Sequence, residues 1–105
     1  MFSNFDTMVE LMIPQYEVNG YGRNEINGYI HHPRRGEINM KHSKWFNIRF
    51  GHGSAYEGYG VFRKEDVVLN AKRLRINSVD YDIDSVVPHQ QSSRYVEVYF
   101  KEVSE

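Results

Sequence analysis

From Lys44 onward the chain alternates between apolar and polar positions. Phe46, Ile48 and Phe50 fall on one face of an extended segment, with Trp45, Asn47 and Arg49 on the other. Leu74, Ile76, Val79, Tyr81 and Ile83 alternate about Asn77-Ser78, which predicts a hairpin ending at Pro88. Residues 88–93 then read as a polar loop, and Tyr95 to Lys101 as a last strand with Val96, Val98 and Phe100 inward. Tyr59 to Arg63 predicts a further strand. Glu65 to Ala71 fits either a short helical turn or a strand through Val67 and Leu69.

Nearer the N-terminus the period changes. Phe5, Met8, Val9, Met12 and Ile13 recur at helical spacing, and Ser3 with Asp6 resembles a capping box. Together they predict a helix over 3–13, stopped by Pro14. Asn19-Gly20 and Asn27-Gly28 predict tight turns, because both dipeptides tolerate positive φ. Gly28 to His31 reads as a strand ended by Pro33. Arg34-Arg35-Gly36 reads as a turn across which Ile38 to Met40 pairs back.

Composition sharpens the fold class. Val and Ile number 18 and Tyr 8, against 3 Leu and 2 Ala, a balance that suits pleated, half-buried surfaces more than helices. The expectation is one α+β domain over 1–105: an N-terminal helix over 3–13 and a β-rich body over 15–101. That body is mainly antiparallel, a small barrel or bent sheet of about five to seven strands. The rhythm from Gly28 to Phe62 resembles that of SH3-like barrels. In size, lack of cysteine and Asn-Gly hairpins the chain resembles small phage accessory proteins.

The absence of cysteine removes disulfides, thiolate metal sites and cysteine nucleophiles together, and fits a cytoplasmic location. No apolar run approaches the roughly 20 residues that span a bilayer, so no membrane is expected. The absence of a basic residue before Arg23 argues against a secretory leader.

Charge is separated along the chain. Residues 23–75 carry 11 basic and 5 acidic side chains, whereas residues 1–22 carry 3 acidic and none basic, and residues 76–105 carry 2 basic and 6 acidic. The basic residues fall in three knots: His31, His32, Arg34 and Arg35; Lys41, His42 and Lys44; and Lys72, Arg73 and Arg75. Trp45, Tyr56 and Tyr59 lie among them. Cations flanking aromatic platforms on strands are how small barrels hold single-stranded nucleic acid or a nucleotide. The expected binding residues are therefore Arg34, Arg35, Lys41, Lys44 and Arg49 for phosphate, with Trp45, Tyr56 and Tyr59 for stacking.

Other motifs carry less. Gly51-His52-Gly53-Ser54-Ala55-Tyr56 opens like a phosphate-binding glycine loop, but the last glycine and the following helix are missing. Ser54 lacks the second glycine of a nucleophile elbow. His31, His32, His42, His52 and His89 show no metal-ligand spacing, so neither metal nor cofactor is expected. Asp80, Asp82 and Asp84 share one strand face, either as a solvated edge or against the basic face of a second copy in a homodimer.

The functional expectation is a non-enzymatic module that binds a polyanion, either single-stranded nucleic acid or a nucleotide-like ligand. One alternative is a protein-interaction module or inhibitor acting on an acidic partner protein, in the manner of a phage accessory protein. The other is a small metal-free endoribonuclease, for which Glu57, His52, His89, Arg73 and Arg75 supply a base, acids and phosphate contacts.

Overall fold

The computed structural model describes residues 7–18, 20–40 and 56–103. Among these residues six strands and one short helix follow in the order β1 (Thr7–Val18), β2 (Asn24–Met40), β3 (Gly58–Arg63), α1 (Asp66–Asn70), β4 (Arg73–Ile76), β5 (Val79–Pro88) and β6 (Tyr95–Glu102). All pairings are antiparallel, and the spatial order β1-β2-β3-β6-β5-β4 closes into a barrel when β4 bonds back to β1. The chain thus forms two three-stranded meanders joined along β3–β6 and β1–β4. Closure leaves no open sheet through the barrel wall.

The predicted N-terminal helix is absent over residues 7–13, which form β1; residues 3–6 lie outside the described residues. Val9, Leu11 and Ile13 also alternate with period two, and that period is satisfied twice, by pairing with β2 and with β4. Two ladders outweigh a weak helical preference in a segment containing Val9 and Ile13. Pro14 does not stop the strand either. The Met12 carbonyl accepts the Lys72 N–H at 2.9 Å, so even-numbered residues of β1 turn their polar groups toward β4. The ladder with β4 ends at Met12, so among the described residues Pro14 faces a side with no strand and loses no ladder bond there.

β2 likewise runs unbroken from Asn24 to Met40, through three expected breaks. Asn27-Gly28 is not a hairpin turn but a bulge: the register with β1 shifts there and Gly28 sits at φ 142°. Pro33 does not end the strand, and Arg34-Arg35-Gly36 is not a turn. β3 pairs with β2 only from Glu37 onward, so among the described residues Pro33 lies where the second side of β2 has no strand partner. The hairpin about Asn77-Ser78 is as predicted, with both residues at positive φ, 50° and 67°, in a two-residue turn. The last strand also matches, with Val96, Val98 and Phe100 in the core. The strand expected over 44–50 and the turn residue Asn19 lie outside the described residues.

The interior is filled by Val9, Leu11, Phe62, Leu74, Ile76, Val96, Val98 and Phe100, with Ile38, Tyr81, Ile83 and Val86 around them. The connection from β3 to β4 must cross one end of the barrel. It does so through α1, whose Val68, with Ala71 just beyond, is buried there as a plug. Three glycines make room for the two phenylalanines. A Cβ on Gly36 or Gly60 would come within 2.5 and 2.7 Å of the Phe62 ring, and one on Gly58 within 2.7 Å of Phe100 and 2.6 Å of the Asn39 carbonyl oxygen.

Gly58→Ala is therefore expected to lower unfolding free energy by about 1–3 kcal/mol, because backbone and ring must both move. Gly20→Ala, with nothing within 4 Å, should change the denaturant midpoint little. Equal midpoints for the two variants would refute the packing argument.

Candidate functional site: a basic cleft at one end of the barrel

Antiparallel partners share a face, so the barrel's outer surface can be read in rows. One row crosses β4 and β5. Arg75 lies opposite Asp80 and donates from Nε at 2.6 Å; Arg73 lies opposite Asp82 and donates at 2.9 Å. Glu10 on β1 reaches Arg75 at 3.9 Å and His31 on β2 at 3.7 Å. The Arg73 guanidinium also lies 5.2 Å from the Tyr29 ring centre, at cation–π distance. Lys101 pairs with Asp84 at 3.3 Å, and the Tyr56 hydroxyl lies 3.2 Å from the same carboxylate. The three aspartates and the Arg73-Arg75 knot are thus engaged within one chain.

The Arg75 hydrogen bond holds the Asp80 carboxyl below the usual carboxylate range, and its charge adds to this against partial burial. Asp80 raises the Arg75 value in turn. A depressed acid contributes stability above its unfolded value, near pH 4, and loses it as pH falls through the native value. Asp80→Asn should thus be less stable than the natural protein at pH 7, and the gap should close in strong acid. Thermal melts from pH 7 to 2 check this; a gap independent of pH would show that Asp80 contributes no ionic term.

A second row crosses β3 and β6, pairing Tyr59 with Tyr99, Val61 with Glu97 and Arg63 with Tyr95. Its middle is buried although it lies outside the barrel: Tyr59 and Tyr99 are 8 % exposed and Glu97 1 %. Tyr99 packs at 6.1 Å from Tyr59 and 5.3 Å from Tyr56, centre to centre. The Tyr99 hydroxyl donates to Glu97 Oε1 at 2.8 Å, and His89 Nε2 stands 4.0 Å from Oε2. The Gln91 N–H donates to His89 Nδ1 at 3.1 Å, so a neutral imidazole carries its proton on Nε2, toward Glu97. This clasp pins the start of the loop between β5 and β6.

That loop delivers Arg94 to the end of the row. The Lys64 N–H donates to the Arg94 carbonyl at 2.9 Å, which extends the β3–β6 ladder by one step beyond Arg63 and Tyr95. Two adjoining clefts open here. One, of about 380 Å³, is lined by Arg63, Lys64, Ser93, Arg94 and Tyr95. The other, of about 410 Å³, is lined by Arg34, Arg35, Arg63, Glu65 and Tyr95. Five cations surround one ring and one carboxylate. Arg34 donates to Glu65 at 2.7 Å and to the Pro33 carbonyl at 2.8 Å. The Arg94 backbone N–H donates to Ser92 Oγ at 3.2 Å, and among the described residues the side chains of Arg63, Lys64 and Arg94 make no hydrogen bond or ion pair.

The expected site residues divide accordingly. Arg34 and Arg35 line a cleft; Tyr59 belongs to the buried outer row and the partly buried Tyr56 packs against it; Lys41, Lys44, Trp45 and Arg49 lie outside the described residues. Arg63, Lys64, Arg94 and Tyr95 were not anticipated. Arg94 sits in the acidic third of the chain, and only the β3–β6 register brings it beside Lys64. The glycine-rich 51–55 segment, with His52 and Ser54, also lies outside the described residues. Of the nuclease set, Glu57 and His89 stand at opposite ends of β6, bonded to Phe100 and Tyr95. About 17 Å of strand separates those two positions. Among the described residues, no group of three or more His, Asp or Glu is placed to hold a metal ion, and no helix is long and apolar enough to cross a membrane. No protein-family model matches the chain, and no curated protein matches it.

Proposed function

We propose that the chain is a non-enzymatic binding module that engages a polyanion, single-stranded nucleic acid or a nucleotide-like ligand, through the paired clefts around Tyr95. The observation that carries this is the charge imbalance at the site. Elsewhere the arginines on β4 are matched by aspartates on β5, whereas among the described residues the side chains of Arg63, Lys64 and Arg94 form no ion pair and adjoin a cleft lined by Arg34, Arg35 and Glu65. Cations left without counter-charges in a concave, partly aromatic surface raise the local concentration of anions and release condensed counterions on binding.

A second reading, a protein-interaction module, draws on the β1–β2 hairpin. Beyond Met12 the hairpin leaves β4 behind and projects from the barrel. Tyr16 and Ile26 are paired on one face with Val18 beside them, all more than half exposed, and Tyr21 at the tip is 91 % exposed. Two strands alone are marginal in water, and an apolar face on such an arm suits a protein partner.

Fluorescence anisotropy of labelled single-stranded DNA and RNA tests the first reading. Micromolar affinity is expected at about 50 mM salt, falling steeply by 200 mM. Arg63→Glu with Lys64→Glu should flatten the log–log salt slope by roughly 1.4 units, at about 0.7 per phosphate contact. Glu65→Gln should tighten binding severalfold, because it removes the competing carboxylate. No binding at low salt, with one protein captured through the arm and lost in Tyr16→Ser with Ile26→Ser, would move the second reading to the front.

A further inference from the structure

The two clefts share two walls, Arg63 and Tyr95, and each has cations of its own: Lys64 and Arg94 in one, Arg34 and Arg35 in the other. Each volume is at the lower end of the range that small-ligand sites occupy. A lone phosphate is satisfied by either cleft and has no use for its neighbour. Two anion sites separated by one aromatic side chain match a chain of alternating phosphates and bases.

We infer that the paired clefts take a single-stranded phosphodiester chain, with successive phosphates in the two clefts and the base between them against Tyr95. This rests on the polyanion reading above. Tyr95 packs partly against the outer row of Tyr59, Val61 and Tyr99, which fixes its ring. A base in a duplex has both faces covered by its neighbours, so stacking on that ring requires an unpaired strand.

The clefts differ in strength. Glu65 stands in the Arg34 cleft and holds its guanidinium at 2.7 Å, so a phosphate there must displace a carboxylate. Among the described residues, the cleft of Lys64 and Arg94 has no acid in its lining. Binding therefore starts at Arg94. The tethered second phosphate then reaches the Arg34 cleft at an effective concentration of order millimolar, high enough to compete with Glu65.

Competition against a labelled 12-nucleotide oligothymidylate tests this, with thymidine monophosphate and unlabelled oligothymidylates of two to six units as competitors. For the natural protein, affinity should climb by at least about tenfold from one unit to three, the scale of effect that tethering supplies. Arg94→Ala should weaken every competitor, and Arg34→Ala only those with two or more phosphates. Each should lower the salt slope of the 12-mer by about 0.7. Tyr95→Leu should weaken all of them and Tyr95→Phe none, the phenylalanine variant serving if the leucine variant fails to fold.

If Arg34→Ala leaves every length unchanged while Arg63→Ala with Lys64→Ala abolishes binding, one cleft suffices: the strand inference falls and the polyanion reading stands. If Arg63→Ala with Lys64→Ala binds as the natural protein does, the polyanion reading itself falls. Equal competition by duplex DNA or by polyglutamate would also overturn the strand inference.

Discussion

Everything in this fold depends on fitting two phenylalanine rings inside a six-stranded barrel. Phe62 and Phe100 are among the largest fully buried side chains, and each is accommodated because the facing strand positions are glycines. A Cβ at Gly36, Gly58 or Gly60 would occupy space the rings already fill. The wall is thus closest to the core where it carries no side chain. The ladders hold β2, β3 and β6 at hydrogen-bonding distance, and the glycines let both rings fit beneath them in the register that places Arg63 opposite Tyr95.

Electrostatics on the outer surface follows from that register in two opposite ways. Across β4 and β5 each arginine meets an aspartate, so a segment that is basic in sequence becomes nearly neutral in space. Such cross-strand pairs lie near solvent, so their contribution is modest and is screened further by salt. At the end of β3 and β6 Glu65 is the one acid lining the clefts among the described residues, and cations from three separate parts of the chain accumulate. The buried Glu97 lies between these regimes. It is satisfied by Tyr99 and faces His89, and it serves the loop that presents Arg94.

How much of this could be read from the sequence depended on how local the determining contact was. The hairpin of β4 and β5 and the inward face of β6 were legible because alternation and turn residues are neighbours in the chain. β1 was misread because Met8, Val9, Met12 and Ile13 fit a helix while Val9, Leu11 and Ile13 fit a strand, and only pairing with β2 and β4 decides between them. β2 was cut into pieces at Asn27-Gly28, Pro33 and Gly36. Each is a breaker in isolation, yet each falls here at a bulge, beside an unpaired edge or against a ring. For the site, Arg34 and Arg35 were visible as part of a basic knot. Arg94 was hidden, since averaging charge along the chain assigned it to an acidic neighbourhood.

The closed topology also shapes how the chain reaches its native state. The β1–β2 and β4–β5 ladders join near neighbours, but β3 meets β6 across residue pairs such as Gly58 and Phe100, and β1 meets β4 through pairs such as Glu10 and Arg75. Loop entropy must be paid before those distant contacts give anything back, which places this chain among slow, high-contact-order folders. The β1–β4 seam is also short, three residue pairs from Glu10 to Met12. Until it zips, Leu11 and Leu74 are uncovered together at two open strand edges. The same seam that completes the barrel is therefore where a nascent chain is most exposed to pairing with its neighbours during synthesis.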